Sequence, residues 1–155
     1  MPDLLAGQPI RAVDHPPSVY VADPTDLENI TNTTWSPGTP DVSMTITAPT
    51  SGRARIDIWA MVDEDSDGGG VYLSVEVRHG NPTGPVIHAP STTTGGIAAY
   101  WVDAAPMNTS ASGWVFLSGL EPGAVYWVQL QHMVRDPATG GLDIAHRAIL
   151  YTPLP

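Results

Sequence analysis

Cysteine and lysine are absent and phenylalanine occurs once. Without cysteine there is no disulfide framework, thiolate metal site or thiol nucleophile. Stability must come from packing, alone or with oligomerisation. Every cation is one of six arginines, set against 16 acidic residues. Arginine in every cationic position is what a GC-rich genome writes. A net charge of −10 repels phosphate backbones, so nucleic acid is not expected as a partner. No apolar run approaches the ~20 residues of a membrane span. The opening MPDLLAGQPIRAVDHPP has neither the basic region nor the apolar run of a signal peptide, so the chain is expected to be made in the cytoplasm and not exported by the general secretory route. Helical spacing is scarce as well: its longest candidate, Pro24 to Ile30, is short and runs into threonine-rich sequence.

What is present is strand and turn material. In 155 residues there are 16 prolines and 15 glycines, and 42% of residues are hydrophobic, enough to bury a core. Period-2 alternation is clear from Val42 to Ala48, with Val42, Met44, Ile46 and Ala48 on one face. It recurs with Ala54, Ile56, Ile58, Ala60 and Val62, and again with Val71, Leu73, Val75 and Val77, which predicts a long hairpin over 54–79. Between Ser112 and Tyr151 the chain reads as strand, corner, long strand, turn, strand. In the long strand Tyr126, Val128, Leu130, His132 and Val134 point one way; Val125, Trp127, Gln129, Gln131 and Met133 point the other. Apolar residues on both faces make that strand central. Shorter strands are expected at Ser18–Ala22, Asn29–Trp35, Val86–His88 and 98–102. Eight or nine such strands in one domain must form two packed sheets or a barrel, since a flat sheet leaves an apolar face in water. The expected fold is an all-β antiparallel sandwich of jelly-roll type over 18–155, preceded by an extended arm, 1–17, whose Leu4, Leu5, Ile10 and Val13 are too apolar for a solvated tail.

Outward-facing Trp59, Met61, Tyr72, Trp127 and Met133 would leave an apolar patch on a lone subunit, and such patches mark interfaces. They predict a homo-oligomer, most simply a trimer, with the arm docked on a neighbour. The competing reading has the loop over 80–97 covering them within one subunit.

Motifs for chemistry are few. Asp63, Asp65 and Asp67 before Gly68 open like a calcium loop, but the twelfth position is Ser74 instead of a bidentate glutamate, so an ordinary turn is expected. The five histidines show no zinc spacing; His132 and His146, read as lying on adjacent strands, are the one pair that could meet. Asp57 and Glu76 would face each other across the expected hairpin, beside Arg55 and Arg78, as exposed ion pairs more simply than as a carboxylate dyad. There is no nucleophile elbow and no phosphate loop. The sequons at Asn29, Asn32 and Asn108 fit coincidence in a threonine-rich chain. No catalysis and no cofactor are expected.

Leu120-Glu121-Pro122-Gly123-Ala124-Val125-Tyr126 resembles the tyrosine corner of fibronectin type III and related sandwiches, whose tyrosine hydroxyl bonds back to the backbone. The arm LAGQPIRAVDHPP, the block TTWSPGTPDVSMTITAPTSGRARIDI and the tail GLEPGAVYWVQLQHMV with DIAHRAILYTPLP together resemble small virion proteins of actinobacterial phages. The TAPTSGR connection is similar to trimeric jelly rolls of the tumour necrosis factor and complement globular-head type. The resemblance implies a surface part of a virion, a capsid decoration or a head or tail fibre, bound to the major capsid or tail protein, with no membrane partner. A carbohydrate- or receptor-binding module, using Trp59, Trp101, Trp114 or Trp127 as a stacking platform, is the alternative.

Overall fold

The computed structural model describes residues 14–64, 69–100, 107–136 and 142–155. Ten strands are defined among them, and no helix. They are β1 (Val19–Asp23), β2 (Leu27–Ile30), β3 (Ser43–Thr47), β4 (Ala54–Glu64), β5 (Gly70–His79), β6 (Val86–His88), β7 (Ile97–Tyr100), β8 (Met107–Leu117), β9 (Val125–Asp136) and β10 (Leu142–Pro153).

All pairings are antiparallel, in two sheets. Sheet A has the order β1-β10-β4-β8, with β2 continuing the β1 edge along β10. Sheet B has the order β3-β9-β5, with β6 and β7 sharing the far edge of β5. Successive long strands alternate between the sheets, which is the jelly-roll arrangement. The central strand expected over 125–134 is confirmed, as β9 runs between β3 and β5.

The inward faces meet in one core. Ile46, Leu73, Val75 and Val128 of sheet B pack against Ile56, Ile58, Val115, Leu142, Ile144 and Ile149 of sheet A, all essentially closed to water. Every alternation expected for 42–48, 54–62, 71–77 and 126–134 places the named residues on this inward side.

The pairing of those strands differs from the sequence expectation. β4 and β5 are not a hairpin: β4 pairs with β10 and β8, β5 with β9, β6 and β7, and the chain changes sheet between Glu64 and Gly70. In a sandwich both inner faces look onto the same core, so consecutive strands show the same alternation whether paired side by side or stacked ~10 Å apart. The same reason separates β8, β9 and β10, of which β9 lies in the opposite sheet from the other two. The strand expected over Asn29–Trp35 is shorter and earlier, at Leu27–Ile30, with Asn29 in the left-handed region at φ 55°. Pro24 to Ile30 is therefore not helical.

Two corners fix the sheets against each other. The Glu121 N–H donates to the Tyr126 hydroxyl at 2.8 Å, which is the tyrosine corner. Beside it, the Ala48 and Gly123 amides donate to the carbonyls of Ala124 and Ala48, and Leu120 donates to Gly52. The crossings at 48–52 and 118–124 are thus bonded to each other. The Tyr151 hydroxyl reaches across the core to the Thr47 carbonyl at 2.7 Å.

At the other end, β10 bulges between Ala145 and Ala148, with His146 at φ 48°. The bulge turns Arg147 inward, where it is 2% exposed. Its Nη1 donates to the Pro40 carbonyl at 2.9 Å and its Nη2 meets Asp23 at 3.3 Å. This single guanidinium ties the segment between β1 and β3 to the end of the sandwich, opposite the break in the edge strand between Asp23 and Leu27. Gly38 passes so close that a Cβ there would overlap Nη1.

Candidate functional site

The outer face of sheet A carries four of the seven large apolar side chains exposed among the described residues. Tyr20 on β1, Trp59 on β4, and Trp114 and Phe116 on β8 are 65%, 39%, 52% and 55% exposed. Their positions follow from alternation, since the residues between them (Val19 and Val21, Ile58 and Ala60, Val115 and Leu117) turn inward. Register sets Tyr20, Leu150, Asp57 and Trp114 in one row across four strands. The next row holds Ala22, Ala148, Trp59 and Ser112. Small residues between large aromatics leave a groove of about 410 Å³, with Tyr20, Trp59 and Trp114 on its walls and Leu150 and Ala148 on its floor. The Trp114 and Phe116 rings lie 4.6 Å apart. The Arg55 Nη2–Asp57 Oδ2 ion pair, 3.0 Å, runs along β4 on this face.

The outer face of sheet B is different in kind. Trp127 sits between Thr45 and Arg78, and Gln129 between Ser43 and Glu76. Gln131 donates to Gln129 at 2.8 Å, Gln129 donates to Asp41 at 3.1 Å, and Arg78 Nε donates to Glu76 at 2.6 Å. Tyr72 and Met133 pair with each other farther along. The 89–96 segment lies over part of this face, with the Ser91 amide reaching the buried Ser74 hydroxyl at 3.3 Å.

The five outward residues expected to share one interface are therefore divided. Trp59 and Met61 lie on sheet A; Tyr72, Trp127 and Met133 lie on sheet B, on the opposite side of the molecule. The residues that join Trp59 on a common surface are Tyr20, Trp114, Phe116 and Leu150. Alternation marks each of them as outward, but which strands share a sheet is set by pairing that alternation does not fix. Leu4, Leu5, Ile10 and Val13 of the arm, and Trp101, lie outside the described residues.

The other candidates resolve as follows. Asp57 and Glu76 do not face each other, because they occupy different sheets; each pairs with the arginine two residues away on its own strand. His132 and His146 do not meet either: His132 is buried on the inner side of β9, while His146 is exposed at the β10 bulge near Trp59, ring centres 6.4 Å apart. Of the acidic loop, Asp65 and Asp67 lie outside the described residues and Asp63 ends in β4; no cluster able to hold a metal occurs among the described residues.

A shallow depression of about 560 Å³ opens at the Arg147 end, lined by Asp26, Glu28, Asn32, Thr39 and His132 among others. Burial, and secondarily the charge of Arg147, hold the His132 imidazole down to a pKa of about 4. Burial lowers the Arg147 pKa, and Asp23 and Asp41 oppose that shift. This is a structural lock with a neutral histidine behind it. The chain matches no known protein family, and no curated protein matches it.

Proposed function

We propose that the chain is a non-enzymatic structural protein of a phage virion, a capsid decoration or a head or tail fibre, that assembles as a homotrimer through the outer face of sheet A. One observation carries the assembly: four aromatic side chains are exposed on one sheet face. At the exposures above they present about 400 Å² of apolar surface, the size at which an exposed patch marks an interaction site.

The magnitude also indicates what else is needed. Covering that patch contributes about 10 kcal/mol per subunit at 25 cal/mol per Å², no more than the roughly 4–15 kcal/mol that association costs. Stable interfaces bury about 800 Å² per partner. The arm, with Leu4, Leu5, Ile10 and Val13, is the apolar material that supplies the rest, docked on a neighbouring subunit. The virion assignment draws on the resemblance of the arm, the TTWSPGTP block and the tail to phage surface proteins, and the partner there is the major capsid or tail protein of the same particle. Mass spectrometry of purified particles from the source of this sequence tests it: the chain is expected in stoichiometric amount, and particles that lack it would exclude a virion role.

A further inference from the structure

We infer that the outer face of sheet B around Trp127 is a binding site for neutral glycans, with one hexopyranose ring stacked on the indole. The inference goes beyond the assembly reading and does not rest on it, since the two faces are opposite sides of the sandwich.

The argument begins with what surrounds the indole. On sheet A the exposed aromatics line a groove floored by Ala148 and Leu150, with the Arg55–Asp57 pair beside Phe116 and Trp114, and their ring faces suit another apolar surface. On sheet B the partly exposed Trp127 adjoins a hydroxyl, a guanidinium, a carboxylate and an amide, those of Thr45, Arg78, Glu76 and Gln129, with the exposed Val125 and Val86 at the rim. These polar groups are already fixed by one another. Asp41 holds Gln129, Gln129 holds Gln131, and Glu76 holds Arg78, whose Nη1 is further anchored on the Gly84 carbonyl at 3.0 Å. Arg78 Nη2 and Glu76 Oε2 remain on the same face, with no bond to another described residue.

A pyranose matches that combination. One ring face is C–H only and packs on an aromatic plane, while the ring edge carries hydroxyls that each donate and accept. A hydroxyl pair can therefore satisfy a carboxylate, a guanidinium or an amide without leaving a charge unpaired. Gln129 lies two residues from Trp127 on the same strand face, about 7 Å away, within reach of the edge of one sugar ring. The acidic and basic groups here are internally paired and the chain carries −10, so anionic sugars are repelled. An apolar protein surface would leave Arg78 Nη2 and Glu76 Oε2 unsatisfied.

The test is titration of the ¹⁵N-labelled full chain, following its five indole N–H resonances. The probes are the methyl glycosides of glucose, galactose, mannose and N-acetylglucosamine and their linear trisaccharides, with 3′-sialyllactose as the anionic comparator, up to about 20 mM. At least one neutral probe is expected to shift the Trp127 resonance saturably, binding at least ten times more tightly than sialyllactose. Gln129→Ala and Glu76→Gln, which leave the core untouched, are expected to weaken binding at least fivefold, and Trp127→Ala to abolish it. No saturable shift, equal binding of sialyllactose, or binding unchanged in Gln129→Ala and Glu76→Gln would each overturn the inference. None of these outcomes alters the oligomeric mass, so failure here is separable from failure of the trimer.

Discussion

At the residue scale one tightly constrained contact is that between Gly38 and Arg147. A guanidinium this buried must have its donors met; Pro40, Asp23 and Thr25 accept from Nη1 and Nη2, while Nε has no partner among the described residues. A Cβ at position 38 would displace that group. Gly38→Ala is expected to destabilise the domain by about 1–3 kcal/mol, read as a lower urea midpoint with an unchanged slope. His132 gives a pH signature of known sign. Its folded pKa of about 4 lies below the ordinary 6.5, so the unfolded chain takes up a proton before the folded one does. The stability it contributes is complete above pH 6.5 and is lost as pH falls toward 4, on the order of 3 kcal/mol. His132→Leu is expected to flatten the urea midpoint between pH 6.5 and 4.5. Part of the slope should remain, because burial also lowers the His88 pKa. A slope as steep as in the parent chain would contradict the assignment.

At the element scale, the strands were legible and their partners were not. Alternation names the inward residue at nearly every position of β3, β4, β5 and β9, because a core accepts only apolar groups whatever the topology. It is silent on pairing when both sheets enclose one core, and for that reason β4 and β5 read as a hairpin. The corner at 120–126 was legible through chemistry more specific than hydrophobicity, a tyrosine set to bond a backbone N–H. The Arg147 lock was not, because nothing in the sequence announces that a bulge will turn one arginine inward. The exposed aromatics of sheet A were recoverable from β1 and β8, but only their strand order unites them. A prediction belongs to this scale: deleting residues 1–13 is expected to leave the melting temperature of the isolated domain within a few degrees while abolishing loading onto particles. Full loading of the truncated chain would remove the arm from the assembly.

At the scale of the whole molecule, two different outer faces give the sandwich a polarity. One carries four exposed aromatics beside a single ion pair, the other a hydrogen-bonded polar cluster bordered by exposed valines, and a trimer closed through the first would present the second to the surroundings. The most direct measurement is light scattering coupled to size exclusion, on the parent chain and on the Tyr20→Arg, Trp114→Arg double variant. The parent is expected at three times the 16.4 kDa chain mass and the variant, folded by circular dichroism, at the chain mass alone. A parent chain that runs as a monomer with Trp59 and Trp114 still open to water, or a variant that remains trimeric, would contradict the assignment of the sheet A face to self-assembly.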